Sequence, residues 1–417
     1  MEPFRIKVVE PLNKTTHEER KKILKQVGYN LFMIPARYVY LDFISDSGTG
    51  AMSSRAWAQM MEAEEDFSGQ KASEEFIKVA QGITNFPFIQ PVHQGRVAEN
   101  ILFNLLFNKG DKIFSNTHFE TTRANLERIG CMVIDIPDFT PPFCGNIDLQ
   151  RLENAVKEEK RLRAVILTLT NNVKGGQPVS LENIQAAYDL IKKRNGLIIF
   201  DASRFADNAF FIKRYTKTKK SILAICHEMF RYCDILYLSS KKDCLTNIGG
   251  FIGVRDKGLY EKLKARIIEQ ESYPSSGGLA ARDLAAMAVG LKEAIEEDFL
   301  RSHIEKVHLL GNILKARGVK VFEPFGGHGV VLIPRVKIPY AAYVLGAEIY
   351  LQTGIRGGVF GEELRLALPR RVYTSEHLTY AGEAISEVYR KEPRFRLKLT
   401  NKPETFFNFF ARFRAVK

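Results

Sequence analysis

The chain has little of what secreted, membrane-spanning and metal-bound proteins usually contain. Its 417 residues include only five cysteines, an odd number without the paired spacing of a zinc site or a disulfide framework. No stretch approaches 18 consecutive apolar residues, and the opening segment MEPFRIKVVEPLNK lacks the apolar region of a signal peptide. We therefore expect a protein of the cytoplasm, a reducing compartment, with no membrane-spanning segment.

The composition is that of a globular protein with an excess of positive charge. Hydrophobic residues make up 45% and charged residues 26% of the chain, which argues against disorder. Lysine and arginine number 61 against 48 acidic residues, for a net charge of +13. The basic residues are dispersed over 192–196, 212–221 and 390–417 rather than gathered in a recognisable nucleic-acid-binding module. We expect them to attract an anionic cofactor and substrate, and we do not expect a nucleic-acid partner.

Strand and helix patterns alternate through the middle of the chain. Runs rich in β-branched and aromatic residues at 86–92, 112–116, 132–136, 164–170, 197–202 and 234–240 are separated by helical patterns, including a long helical stretch up to Phe230. This alternation predicts βαβ units and an α/β fold with a mostly parallel sheet. We predict a large α/β domain at 46–305 and a smaller α+β domain built from 1–45 and 306–417.

Polar residues follow the first of these strands, where a helix begins. The sequence His93-Gln94-Gly95-Arg96 comes directly after the strand at 86–92. A glycine lets the backbone approach an anion, the start of a helix offers free N–H groups, and the arginine adds positive charge. The motif is consistent with a phosphate cradle and also with an ordinary helix start.

Two further strand ends carry an aspartate and a lysine pair. Asp201 ends an apolar strand, where it could cap a helix or hold a protonated heterocyclic nitrogen. Lys241 and Lys242 follow the strand at 234–240 and precede a glycine pair; they could be a solvated surface pair, or an amine nucleophile made reactive by burial beside a second cation. Because ligands bind at the carboxyl ends of parallel strands, the three motifs together predict a pyridoxal phosphate site.

Several longer blocks of sequence make the chain similar to a known family. DSGTGAMS, PVHQGRVAENILF, NNVKGGQPVS, FDASRFADNAFFIK, SSKKDCLTNIGG and LRLALPRRVYT resemble, in order, the tryptophanase and tyrosine phenol-lyase family, the β-eliminating lyases. The resemblance implies the aspartate-aminotransferase-like fold (fold type I), pyridoxal 5'-phosphate as cofactor and an L-amino acid as substrate. It also implies a homotetramer.

The resemblance further implies a role for individual residues. Lys242 would form the Schiff base with the cofactor and later remove the α-proton of the substrate, with Lys241 as a supporting cation. Arg370 would bind the substrate α-carboxylate as a two-pronged hydrogen-bond donor. The other implied cofactor contacts are Gln94, Gly95, Arg96 and Ser239 to the phosphate, Phe119 stacked on the ring, Asn172 and Arg204 to the ring oxygen, and Asp201 to the ring nitrogen.

An activating cation is implied in the same way. Gly48, Glu65 and Asn247 match family positions that bind a monovalent cation such as potassium. Other interpretations stay open, because Glu65 could be plain helix surface and Phe119 could be part of the core.

The chain departs from the family where the leaving group of the substrate should lie. Phe67 stands in place of the tyrosine that serves as general acid, Glu120 in place of a threonine or aspartate, and Asn408 in place of a phenylalanine or histidine. The stretch between Gly354 and Arg365 is shortened, which would remove an arginine that helps phenol-lyases recognise the hydroxyl. Since a phenyl ring cannot donate a proton, we expect neither efficient tyrosine nor efficient tryptophan cleavage.

These observations predict a pyridoxal-phosphate-dependent lyase that releases ammonia and a keto acid from an L-amino acid. A leaving group better than phenol or indole, such as a thiolate, would need less help from an acid; alternatively, Glu120 could act as the acid if burial raises its pKa. Phe67 could equally be a neutral change in a protein whose substrate never needed the tyrosine. Reactions that diverge after removal of the α-proton, namely β-replacement, aldol cleavage and transamination, remain alternatives. A further alternative is a non-catalytic basic protein on the same scaffold that binds nucleic acid or a protein partner.

Overall fold

The computed structural model describes residues 2–416, with helices distributed along the whole of this range. The α-helices are α1 (His17–Gln26), α2 (Ser54–Glu62), α3 (Lys71–Thr84), α4 (Gly95–Leu106), α5 (Glu120–Ile129), α6 (Leu149–Glu158), α7 (Leu181–Lys192), α8 (Phe205–Thr216), α9 (Ile222–Arg231), α10 (Lys257–Gln270), α11 (Ala281–Ala294), α12 (Glu297–Ala316), α13 (Ala341–Thr353), α14 (Ser375–Tyr389) and α15 (Phe407–Phe410). Two short 3₁₀ turns lie at Leu31–Met33 and Ala36–Tyr38.

The strands between these helices are short, as is usual in α/β proteins. They are β1 (Leu41–Phe43), β2 (Phe88–Val92), β3 (Lys112–Ser115), β4 (Met132–Asp135), β5 (Pro137–Asp138), β6 (Asn146–Ile147), β7 (Leu162–Thr168), β8 (Leu197–Asp201), β9 (Ile235–Ser239), β10 (Gly250–Val254), β11 (Gly329–Leu332), β12 (Ile355–Phe360), β13 (Glu363–Ala367), β14 (Arg396–Asn401) and β15 (Arg412–Val416). The chain divides into two compact units, one of Ser47–Arg301 and one of the described residues up to Asp46 and from Ser302 onward.

The larger unit is built on a seven-stranded sheet in the order β2-β10-β9-β8-β7-β3-β4. Strand β10 is antiparallel to both of its neighbours, and the other pairs are parallel. Residues of the central strands, such as those of β9, are buried along their whole length, as expected where helices cover both faces. The mostly parallel sheet agrees with the α/β architecture predicted from the strand and helix pattern.

The long helical stretch expected up to Phe230 consists of two helices, α8 and α9. Lys217 adopts a left-handed backbone conformation at φ 55° and ends α8, and Ser221 caps α9 by accepting a hydrogen bond from Ala224 N–H. The segment TKTKKS at 216–221 has no apolar residue with which to continue a buried helical face, so the helix stops there.

The smaller unit contains a four-stranded sheet in the order β1-β12-β13-β11, in which β1 and β12 are parallel and the other pairs antiparallel. Its core combines buried residues of the sheet with residues of α13 and α14, among them Leu41, Leu366, Tyr350 and Ile385. Strands β14 and β15 form a separate two-stranded sheet. Helix α1 begins with the capping box of Thr16 and Glu19, two residues that satisfy each other's backbone N–H groups.

Within residues 2–416, none of the helices combines the length and the apolar character needed to cross a membrane.

Candidate active site

The three strand ends singled out in the sequence meet at one edge of the large sheet. Because β10 is antiparallel to both β2 and β9, these two strands run in the same direction as each other and as β8. Asp201 is the last residue of β8, Ser239 is the last of β9, and Gln94 follows β2 by two residues. The carboxyl ends of the three strands therefore converge.

A pocket of about 410 Å³, including space open to solvent, lies at this edge. The residues that line it are Ser47, Gln94, Gly95, Arg96, Glu99, Phe119, Thr121, Asp201, Ser203, Tyr237, Ser239, Lys241 and Lys242. Eight of the predicted site residues are among them. Asn172 and Arg204 are buried in the same unit, with 8% and 6% exposure. Within the described part of the chain, the pocket lining does not include these two residues or Glu120. Their roles and those of the other site residues stay predictions.

The start of α4 forms a close-fitting anion cradle. A Cβ atom placed on Gly95 would lie 2.8 Å from Cβ of Ser239, so only glycine lets the helix start approach the end of β9 this closely. Arg96 follows as the second residue of the helix. The backbone N–H groups of a first helical turn, the positive end of the helix and the arginine together suit a phosphate group.

A short chain of hydrogen bonds fixes the carboxylate of Asp201. Ser203 Oγ donates to Asp201 Oδ1 over 2.7 Å, and the backbone N–H of Ser203 donates to the same oxygen over 3.2 Å. Ser203 Oγ in turn accepts a hydrogen bond of 3.1 Å from the backbone N–H of Ser239. A buried and oriented carboxylate of this kind suits a protonated ring nitrogen. The sequence analysis assigned no role to Ser203.

The lysine pair lies beside this carboxylate in the pocket lining. Burial, and then the positive charge of Arg96, lower the pKa of Lys241 below its usual range. The backbone carbonyl of Lys241 also accepts a hydrogen bond of 2.9 Å from Gly48 N–H. Lys242 lines the pocket together with Asp201, so the amine and the carboxylate that a pyridoxal phosphate site requires occur together.

Glu99 is a pocket residue that sequence reasoning missed. Its side chain is 3% exposed, and burial raises its pKa to about 7, with a smaller contribution in the same direction from the charge of Asp201. Tyr237, behind it on β9, is also fully buried, and burial raises its pKa well above the usual range. An acidic residue on the otherwise apolar face of α4, among Ala98, Ile101 and Leu102, was a signal that could have revealed Glu99.

The predicted cation ligands have partners of their own in the larger unit. Asn247 Nδ2 donates a hydrogen bond of 2.9 Å to the backbone carbonyl of Gly48, so these two residues lie together. Glu65 instead accepts hydrogen bonds from the backbone N–H groups of Ala281 and Arg282, at 3.0 and 3.3 Å, where α11 begins. Among residues 2–416, no three or more histidine, cysteine, aspartate or glutamate side chains cluster as metal ligands.

The residues predicted to face the substrate lie in both units. In the smaller unit, Arg370 is buried and paired with Asp46 at 2.8 Å, and Asn408 Oδ1 accepts a hydrogen bond of 2.9 Å from Tyr343. In the larger unit, Phe67 is 75% exposed, and its ring lies 5.6 Å from that of Tyr273, measured between centroids. The position that holds a tyrosine acid in the resembling family is thus occupied here by an exposed phenylalanine next to a tyrosine.

Comparison with known proteins gives the same assignment as the sequence motifs. The family model described as beta-eliminating lyase matches residues 42–384. A probable beta-eliminating lyase of Trichomonas vaginalis is 40% identical, covering 98% of this chain and 97% of its own length. A tryptophanase of Hyphomonas neptunium is 39% identical over 99% and 98% of the two chains, and a tyrosine phenol-lyase of Lacrimispora saccharolytica is 37% identical over 93% and 91%.

More distant solved structures share the fold. Serine palmitoyltransferase of Sphingomonas wittichii aligns with a TM-score of 0.64 at 14% identity, covering 89% of this chain and 96% of its own. Serine palmitoyltransferase of S. paucimobilis, with a bound PLP–myriocin aldimine, aligns with a TM-score of 0.63 at 11% identity over 84% and 87% of the two chains. At this level of identity the likeness concerns the fold alone, and it confirms the predicted fold class.

Proposed function

Because the chain belongs to the β-eliminating lyase family and is a lyase, as its sequence motifs predicted, we propose that it binds pyridoxal 5'-phosphate through Lys242. The proposed reaction removes the β-substituent of an L-amino acid and releases ammonia and a keto acid. The observation that carries the proposal is the single pocket lined by Lys242, by Asp201 and by the helix start at Gly95 and Arg96. An amine, a ring-nitrogen partner and an anion cradle are what this cofactor requires of a protein.

Bound in this pocket, pyridoxal phosphate would supply an electron sink for the carbanion formed when the substrate loses its α-proton. The residues of the chain would hold and orient this cofactor. Gly95, Arg96 and Ser239 bind the phosphate, and Asp201, oriented by Ser203, keeps the ring nitrogen protonated. Phe119 stacks on the ring through its aromatic face.

Proton transfer and substrate binding fall to other residues. Lys242 accepts the α-proton at its Nζ atom. Lys241 and Arg96 line the same pocket as its positively charged neighbours. Arg370 binds the α-carboxylate of the substrate.

The proposed substrate carries a leaving group better than phenol or indole. Phe67 has no proton to donate, so a leaving group that departs as a stable anion, such as a thiolate, suits this site best. Asn408, held by Tyr343, replaces the aromatic or imidazole side chain that the sequence resemblance would place there. Glu120, at the start of α5, is the chain's alternative acid.

Three finer properties belong to the same proposal. Gly48, Asn247 and Glu65 bind an activating potassium ion, with the contact between Gly48 and Asn247 as support. The protein acts as a homotetramer, as the family resemblance implies. It resides in the cytoplasm, which is supported by the finding that all five cysteines are buried and unpaired, since unpaired thiols persist in reducing compartments.

Binding of the cofactor through Lys242 is tested by absorbance spectroscopy. Purified protein mixed with pyridoxal phosphate should develop a band near the visible edge that survives gel filtration, and Lys242→Ala should lack that band. Lys241→Ala is the matched control, since it removes the neighbouring amine but leaves Lys242, and it should retain a weaker band. Protein that stays colourless with excess cofactor would overturn the proposal.

The reaction is tested on a panel of L-amino acids, with ammonia and keto acid measured as products. Elimination yields both without any second substrate. A strict requirement for a keto-acid acceptor would indicate transamination, and a new amino acid formed only with an added nucleophile would indicate β-replacement. Nucleic-acid binding with a steep salt dependence and no cofactor band would instead identify a non-catalytic binder.

A further inference from the structure

Glu99 occupies a position inside the cofactor pocket that none of the proposed catalytic steps uses. It lies on α4 one turn after Gly95 and lines the same pocket as Asp201 and Lys242. Its side chain is 3% exposed. A carboxyl group this deep in a protein is costly unless its oxygens are hydrogen-bonded, so its partners indicate what it does.

The hydrogen bonds that Glu99 accepts come from the first turns of α5. Thr122 Oγ1 donates to Oε1 over 2.6 Å, and Thr121 Oγ1 donates to Oε2 over 2.7 Å. Asn125 Nδ2 adds a longer contact of 3.4 Å to Oε2. These three donors are neutral and belong to one helix. Both carboxylate oxygens of Glu99 are therefore engaged by α5.

These bonds join two helix starts whose residues line the pocket proposed for the cofactor. Helix α4 begins at Gly95 and carries the anion cradle, and α5 begins one residue after Phe119. Since Phe119 is the N-terminal capping residue of α5, a shift of the first turn of α5 would move its ring. The Glu99 carboxylate thus sets the separation between the phosphate end of the site and the ring that stacks on the cofactor.

We propose that Glu99 is a positioning residue that fastens the first turn of α5, and with it Phe119, to the helix that binds the cofactor phosphate, and that the fastening is complete when its carboxyl group is ionised. The ionised form accepts from both threonine hydroxyls at once. Protonation turns one of its oxygens into a donor and forces one of these threonines to reorient. The inference rests on the proposed function, because it assumes that the cofactor occupies this pocket.

Charged and titratable groups on several neighbouring elements face Glu99 or its partners. Asp201 on β8 disfavours the ionised form of Glu99 and Lys242 favours it, and burial raises its pKa to about 7. Tyr237 on β9 lies 3.3 Å from Thr122 through their hydroxyl oxygens, and Arg96 lies on α4 itself. The carboxyl group therefore changes its charge near neutral pH, where a change in cofactor affinity is measurable.

The test measures the dissociation constant of pyridoxal phosphate between about pH 6 and pH 8.5 by absorbance titration. The glutamine of Glu99→Gln has nearly the same shape but only one acceptor oxygen. This variant should therefore weaken cofactor binding about tenfold at the upper end of the pH range, which corresponds to the loss of one hydrogen bond to a charged group. It should also remove the part of the pH dependence centred near neutrality. Asn104→Ala is the control on α4, because the exposed side chain of Asn104 donates to the backbone carbonyl of Asn100 and does not line the pocket; it should match the wild type.

A second variant covers the case in which Glu99→Gln does not fold. Thr121→Val removes one donor and leaves the carboxyl group in place, so the pH-dependent step should move to higher pH. Wild-type affinity and an unchanged pH profile in either folded variant would overturn the inference while leaving the proposed function intact. Failure of the wild type to bind the cofactor at all would overturn both.

Discussion

The guanidinium of Arg370 and the carboxylate of Asp46 form an ion pair in which Nη1 lies 2.8 Å from Oδ2, and neither side chain is more than 2% exposed. Both residues belong to the smaller unit. A pair so far from solvent is held in one geometry, because each charge would be costly to leave alone. Asp46 therefore fixes the orientation of Arg370, the residue that the family resemblance predicts to bind the substrate carboxylate.

The first prediction concerns the stability of this pair. Asp46→Asn keeps the shape of the side chain but removes the buried negative charge that faces Arg370, and we expect a loss of about 3–5 kcal/mol in the free energy of unfolding. Urea denaturation measures this change in the free energy of unfolding. The matched control is Glu383→Gln at the ion pair with Arg317, whose side chains are 46% and 40% exposed; it should cost no more than about 1 kcal/mol. Equal effects would show that burial of the Asp46 pair is unimportant.

Much of the larger unit could be predicted because its signals are local. The run ILYLS is buried along its full length and LIIFD in all but its first residue, a pattern typical of central strands in a parallel sheet. The antiparallel strand β10 was missed, because its sequence GFIGV contains two glycines and follows a third, a composition more typical of a turn. In the smaller unit, β12 carries the similar run IRGGVF and was missed in the same way.

The candidate site was predictable only in part. Asp201, Lys242 and Gly95 stand at strand ends or helix starts, where position along the chain already implies position in the fold. Ser203 bonds both Asp201, 2 positions away, and Ser239, 36 positions away, and Glu99 contacts residues about 22 positions away. The periodicity of a single sequence does not reveal the distant pairings. The partners of Glu65 at the start of α11, 216 positions away, were beyond prediction for the same reason.

A second prediction follows from the hydrogen bond between Ser203 and Asp201. Ser203→Ala removes the 2.7 Å donor to Asp201 and the acceptor for the backbone N–H of Ser239. A hydrogen bond to a charged group contributes about 1.5–3 kcal/mol, so we expect the dissociation constant of pyridoxal phosphate to rise by at least about tenfold. Ser203→Thr keeps the hydroxyl and should recover most of the affinity. An alanine variant with unchanged affinity would show that Asp201 needs no such support.

The third prediction concerns the pH dependence of stability in the cofactor-free protein. Burial raises the pKa of Glu99 from 4.5 to about 7, so the folded state binds this proton more tightly than the unfolded chain. The resulting stability is present below about pH 4.5 and is lost as the pH rises through about 7, for a total of about 3 kcal/mol. Glu99→Gln cannot titrate. The wild type should therefore lose more unfolding free energy than this variant between about pH 5 and pH 8, measured with urea; parallel curves would contradict the assignment.

The fourth prediction tests the cation site. Glu65→Gln removes the charge that would help bind potassium but keeps an oxygen that can accept from the start of α11. We expect the activity gained on replacing sodium with potassium to fall severalfold, with a small effect on stability. Glu64→Gln changes the neighbouring, exposed carboxylate and should leave the potassium response unchanged. If both variants respond to potassium like the wild type, Glu65 is only a cap for α11.

The fifth prediction concerns the leaving group. Phe67→Tyr adds a hydroxyl to the ring that contacts Tyr273 and restores a phenol at the position where the resembling enzymes have their acid. General acid catalysis contributes typically about 10²–10⁴-fold, and only a poor leaving group needs it. We therefore expect the rate of elimination of phenol or indole to rise by one order of magnitude or more, while the rate of elimination of a thiolate, which leaves without a proton, changes by less than about twofold.

The ratio of kcat/KM between the two kinds of substrate measures this difference, since a general change in folding or cofactor content cancels in the ratio. Phe67→Leu serves as the control and should raise neither rate; an equal gain for both leaving groups would mean that position 67 acts on a step before the bond breaks.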